Sequence, residues 1–139
     1  MKILVICQYY YPEPFRIHEI TQELVRRDYR VTVLTTYPNY PEGKIYDGYV
    51  NKETKREVIN GVDVIRISSR PRKTGSINLG LSFIDFYIKA SRFIKRFEEE
   101  FDVVYSYQLS PVIQIIPAYK YAKKHNVPLY VYCLDIWPE

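Results

Sequence analysis

The chain has 139 residues, 47% of them hydrophobic, which suffices for one compact domain with its own core. No apolar run approaches the roughly 20 residues that span a bilayer, and no charged start leads into a short apolar segment with a small-residue cleavage site. The expectation is a soluble cytoplasmic chain. The net charge of +4 is uneven, because residues 52–96 hold eleven Lys and Arg against four Asp and Glu, a local +7 that leaves −3 for the remainder.

Nucleic acid is set aside as a partner of that basic middle, since no helix-turn-helix, zinc or RNP-type pattern accompanies it. Anionic lipid or phosphate fits it. Cys7 and Cys133 each sit in an apolar run, away from any CxxC or metal-ligand spacing, and read as two reduced core thiols. No metal site is expected.

In chain order, residues 2–8 form a continuous apolar run, suited to a strand buried on both faces of a parallel sheet. The segment 9–16, YYYPEPFR, carries two closely spaced prolines that forbid strand pairing and make a rigid loop. Ile17, Ile20, Leu24 and Val25 then recur at helical spacing, with Arg26 and Arg27 in the last turn where cations complement the helix dipole. Residues 31–36 give a second buried strand. Strand, loop, helix, strand is the opening unit of an α/β sheet.

Residues 37–51 hold Pro38, Pro41, Gly43 and Gly48 among four tyrosines, a long surface loop of the kind that carries function. Two strands, 56–59 and 62–67, flank Asn60-Gly61, a dipeptide that accepts the positive φ of a type I′ hairpin. Residues 77–97 read as a helix whose apolar side takes in Leu81, Ile84, Ile88, Phe93 and Ile94. A strand at 102–107, a helix over 112–124 and a strand at 129–134 complete the chain. The fold class is α/β, a doubly wound, Rossmann-like, mostly parallel sheet with one β-hairpin.

Ligands of such sheets bind beyond the carboxyl ends of the strands, which singles out the loops 9–16, 37–51, 108–111 and 135–139. Neither a GxGxxG fingerprint nor a GxxxxGK[ST] phosphate loop occurs, so no nucleotide cofactor is assigned to this chain. His18 and His125 lack metal-spaced partners and read as structural.

At these loops the motifs YYYPEPFRI, TYPNYPEGKIYDGY, YQLSPV and LDIWPE, in that order, resemble the N-terminal domain of family 4 glycosyltransferases of GT-B architecture. The nearest subgroup builds bacterial capsule, O-antigen and colanic-acid-like polysaccharides. The resemblance covers almost the whole chain. It departs where many members have glycines and this chain has Pro14-Phe15-Arg16, and where Asp28 replaces the glycine that commonly ends the first helix.

The resemblance implies a retaining transferase, without an obligatory metal, that moves a sugar from a nucleotide-sugar donor to a lipid-linked saccharide acceptor. Residues 1–139 would be its acceptor-side domain, cut short at the C-terminal end. The donor-binding second domain would be absent, leaving this chain inactive by itself. A non-catalytic acceptor-binding or membrane-recruiting subunit acting in trans would use the same motifs. Continuation of the reading frame into a second α/β domain separates the two. A flavodoxin-like or receiver-type signalling domain lacks its flavin loop or acidic cluster here.

Roles then follow from position. Asp135, at the carboxyl end of the last strand, is the candidate catalytic residue, orienting a hydroxyl in the cleft, with capping of the turn at Pro138 as the structural alternative. Glu13 lies between two prolines that fix its direction toward substrate, or is a solvated loop carboxylate. Arg16 offers a planar fork to phosphate or makes a surface ion pair. Asn39, Tyr40 and Glu42, with Gln108 and Ser110, supply the hydrogen-bonding groups and ring faces that sugars need. Trp137 is a further ring platform or an anchor to the core. Lys89, Arg92 and Arg96 share one helix face, near Phe86, Phe93, Ile94 and Phe97 and preceded by Arg66, Arg70, Arg72 and Lys73. They are expected to meet an anionic membrane surface at the inner face of the plasma membrane.

Overall fold

A computed structural model describes residues 1–108 and 112–133 of the chain. The elements are β1 (Lys2–Ile6), α1 (Ile17–Arg26), β2 (Arg30–Thr36), β3 (Lys55–Ile59), β4 (Val62–Ile67), α2 (Ser76–Arg96), β5 (Val103–Gln108), a 3-10 turn (Val112–Ile115), α3 (Ile116–His125) and β6 (Leu129–Cys133). The six strands form one sheet in the order β3-β4-β2-β1-β5-β6, parallel throughout except for the β3–β4 hairpin. The chain has a Rossmann-like α/β fold.

Alternation along the strands divides the core in two. Leu4, Ile6, Leu34, Ile65, Ile67 and Val104 point to the face covered by α2 and α3. Ile3, Val5, Val31, Val33, Val62 and Val64 point to the other, where Ile17, Ile20 and Leu24 of α1 pack. Continuous apolar runs in β1 and β2 are what a strand covered on both faces requires. The Asn60-Gly61 turn has φ of 49° and 81°, as a type I′ hairpin demands. Asp28, just past α1, takes φ of 65°, so the left-handed residue expected of a glycine is supplied by a short polar side chain that tolerates it.

Three expectations are corrected. The helix expected over 112–124 is a 3-10 turn followed by α3, because Pro117 in the first turn of α3 has no N–H to give and its ring would strike the carbonyl four residues back. The apolar side of α2 is not the one the spacing suggests: Phe83, Phe86, Ala90 and Ile94 are buried, whereas Leu81, Ile84 and Ile88 face outward. This helix is apolar on two opposite sides, and Ser82 and Ala90 let the aromatic one settle close to the sheet. Finally, Cys7 is a buried thiol with its pKa pushed up to about 12 by burial, but Cys133 is exposed on edge strand β6.

Candidate functional site

The loops following β1 and β2 meet at the carboxyl end of the sheet, and a buried carboxylate joins them. Glu13 is 2% exposed. Its Oε2 accepts the backbone N–H of Asn39 at 2.9 Å and of Tyr40 at 2.8 Å, and its Oε1 accepts that of Tyr10 at 3.2 Å. Burial raises its pKa from 4.5 to about 7, against the opposing pull of these three donors and of the nearby Arg66 charge. Between its two prolines Glu13 points toward the second loop. A solvated loop carboxylate is excluded, and in this geometry the residue positions the two loops.

Arg66 is the second tie, and here the expectation of a membrane-facing cation is overturned. Its side chain is fully buried, donating from Nη1 to the Thr36 carbonyl at 2.8 Å, from Nη2 to the Tyr11 carbonyl, and from Nε to Glu57 at 3.0 Å. The fork thus holds the first loop and the end of β2 from a strand that borders β2. Thr35 and Thr36 add hydroxyl donors to the Gln8 carbonyl, and Gln8 itself links to Ser82 of α2 at 3.0 Å and to Gln114. Sequence reading missed Arg66 as a site-shaping residue. A cation in the otherwise apolar stretch Val64–Ile67 was the signal.

On this frame sits an aromatic cluster drawn from both loops. Tyr9 stacks on Phe15 with ring centroids 5.3 Å apart, and Phe15 meets Tyr40 at 4.7 Å. The Arg72 guanidinium covers Tyr40 at 4.9 Å, and its charge offsets part of the burial that pushes Tyr9 up to about 12. Arg72 too is therefore a loop residue rather than a free basic surface group. Asn39 is buried with its amide committed, Nδ2 to the Tyr37 carbonyl and Oδ1 to the Arg72 N–H. Arg16 is exposed beside Tyr107 of β5, and Glu42 is exposed on the second loop.

Two open hollows flank the cluster. One, of about 520 Å³, is bordered by Glu13, Phe15, Arg16 and His18, and the other, of about 510 Å³, by Asn39, Tyr40, Glu42 and Lys44. The structure thus brings Glu13, Asn39 and Tyr40 into direct contact, with Arg16 and Glu42 on the rims. Gln108 closes β5 at the same end of the sheet. Its side chain, with Ser110, Asp135 and Trp137, lies outside the described residues. Among the described residues no cluster of His, Cys, Asp and Glu could hold a metal ion.

Gly43 of the second loop lies against the backbone of Arg72 and Lys73. Its φ is +77°, and a Cβ there would lie 1.3 Å from the Arg72 carbonyl oxygen. Gly43→Ala is expected to cost about 1–3 kcal/mol in backbone strain alone and to lift the loop from residues 70–73. Cleavage within residues 37–51 under limited proteolysis should then rise by about tenfold, while global unfolding by urea changes less. An unchanged cleavage rate would show that the loop is not held at this contact.

Lys89, Arg92 and Arg96 lie together on α2, lining an open groove with Lys52 and Lys95. Phe86 and Ile94, expected beside them at a membrane, are buried in the core, and Phe93 and Phe97 pack against it. No helix among the described residues is long and apolar enough to cross a membrane.

No protein-family model matches the chain, and no curated protein matches it by sequence. Solved structures do. The C-terminal domain of a hydrogenase from Pyrococcus furiosus shares 17% identity, with 94% of this chain and 89% of that chain covered and a TM-score of 0.53. Sucrose-phosphate synthase from Thermosynechococcus elongatus shares 9% identity over 94% of this chain, with a TM-score of 0.55, and this chain spans 32% of its length. The second is a glycosyltransferase of GT-B architecture. At these identities the likeness is one of fold: the chain is built like a glycosyltransferase domain, and equally like the hydrogenase domain.

Proposed function

We propose that this chain is the acceptor-side domain of a retaining glycosyltransferase that passes a sugar from a nucleotide-sugar to a lipid-linked saccharide in surface polysaccharide biosynthesis. The observation that carries the proposal is the paired loop cluster: the part-exposed rings of Phe15 and Tyr40 set on a buried Tyr9, rim charges from Arg16 and Glu42, and a buried Glu13 that holds the loops in register. Sugars are recognised by flat apolar faces and directed hydrogen bonds, and the cluster offers both at the sheet end where such folds take ligands. The resemblance of the four loop motifs and the fold shared with sucrose-phosphate synthase support the same reading.

In this reading Arg16 meets a phosphate of the acceptor, Tyr40 and Glu42 meet its sugar, and Gln108, Ser110 and Trp137 complete the wall. Asp135 orients the attacking hydroxyl. Most of the donor is held by a second domain, and the lipid tail of the acceptor keeps the work at an anionic membrane surface. Catalysis needs groups from both sides of the cleft, because rate comes from contacts made in the closed transition state.

Residues 1–139 are therefore expected to show no transferase activity and negligible heat of binding with uridine or guanosine diphosphate sugars. A short-chain lipid diphosphate sugar should shift the amide resonances of Arg16, Tyr40 and Glu42. Tight binding of a nucleotide-sugar, without any response to the acceptor analogue, would overturn the assignment.

A further inference from the structure

Helix α2 is unusual in carrying two apolar sides. Phe83, Phe86, Ala90 and Ile94 face the sheet, while Ile77, Leu81, Ile84 and Ile88 are 79%, 40%, 46% and 40% exposed. Spacings of four, three and four residues set those four side chains along one line, on the side turned away from the core at 100° per residue. The line runs about 16 Å along the helix at 1.5 Å per residue. Nothing among the described residues covers it.

What surrounds the line decides what it meets. On one side lies the groove of about 1070 Å³ lined by Lys52, Lys89, Arg92, Lys95 and Arg96, with Phe93 and Phe97 as its apolar floor. Lys89 is paired with Asp85 at 3.2 Å, whereas Lys52, Arg92, Lys95 and Arg96 have no carboxylate partner among the described residues. On the other side Lys120 of α3 lies over the Tyr87 ring at 5.3 Å. The apolar line is thus flanked by cations on both edges. A second copy of the same surface would bring these like charges together as the lines met, which disfavours self-pairing.

We infer that α2 is a membrane-docking helix: it lies in the plane of an anionic bilayer with Ile77, Leu81, Ile84 and Ile88 among the acyl chains and the cationic groove on the lipid phosphates. An amphipathic helix binds a bilayer surface through its buried apolar side together with attraction to anionic headgroups, and this surface supplies both. The inference rests on the membrane element of the proposed function but not on sugar transfer. Vesicle binding needs neither donor nor acceptor, so the two fail separately.

The test is co-sedimentation of the chain with phosphatidylcholine vesicles with and without phosphatidylglycerol, at low and high salt. The chain should partition to the anionic vesicles, and salt should weaken it because the Debye length shrinks. Ile84→Glu with Ile88→Glu should reduce binding by about tenfold or more. Arg92→Glu with Lys95→Glu and Arg96→Glu should abolish the preference for anionic lipid. All five positions are outside the core, and unchanged far-ultraviolet circular dichroism checks that the variants remain folded; Ile77→Glu, at the most exposed of the four apolar positions, gives an independent single-site check. Equal sedimentation of the chain and its variants would overturn the inference. So would a dimer in solution that Ile84→Glu with Ile88→Glu returns to monomer, which would make the line a self-interface.

Discussion

Arg66→Met is expected to lower the unfolding free energy by about 3–5 kcal/mol, the loss typical of removing one partner from a buried charged network. The guanidinium has no exposed surface and is the donor for two backbone carbonyls, of Tyr11 and Thr36, and for Glu57. Methionine fills similar space but leaves both carbonyls without this donor and Glu57 with Lys55 as its remaining partner. Domains of this size have about 5–15 kcal/mol in total, so the variant should be near the edge of folding at ambient temperature. Arg66→Lys keeps the charge and loses the fork, and should fall between the two. Urea unfolding of the three proteins is the measurement. A Met variant within about 1 kcal/mol of the parent would mean that water or a rearranged loop satisfies the carbonyls.

The second large effect is a pH dependence centred on Glu13. Its folded pKa is raised from 4.5 to about 7, so the folded state holds a proton that the unfolded chain has released. The associated stability is fully present below about pH 4.5 and is lost as pH rises through about 7. On the order of 3 kcal/mol is at stake for a shift of this size in a buried group. Urea midpoints of the parent should therefore fall between pH 5 and pH 8, and those of Glu13→Gln should fall much less. Gln retains a carbonyl for Asn39 and Tyr40 but turns an amino group toward the Tyr10 N–H, so it should also be less stable than the parent at pH 5. A midpoint that rises with pH in this window would show that the three backbone donors outweigh burial and keep the carboxylate ionised.

The parts of the fold set by burial of whole strands were legible in the sequence. Runs such as residues 2–8 and 31–36 have no reading but a strand covered on both faces, and Asn60-Gly61 fixes the hairpin on stereochemical grounds alone. The helix expected at 77–97 exists within a residue at each end. Which of its sides faces inward was not legible, since both are apolar and only the competition between Phe83 with Phe86 and Leu81 with Ile84 for the sheet decides. Nor was the role of Arg66, whose partners lie 30 and 55 residues away in sequence. Burial of Glu13 was hidden for the same reason: its acceptors' partners belong to a loop that local propensity cannot bring near. Asn39 and Tyr40 were named as candidates for their residue types, whereas Phe15 and Arg72, which pack beside them, carried no signal beyond their position in a loop.

The ties made by Glu13 and Arg66 set a limit on how these loops can be exchanged. Segment 9–16 cannot be swapped for a homologous stretch by itself, because its carboxylate organises the backbone of the next loop and its Tyr11 carbonyl is held by a strand far along the chain. Grafting a new specificity onto this scaffold calls for moving residues 9–16, 37–43 and position 66 as one unit. Drift at any one of them narrows what the other two can become.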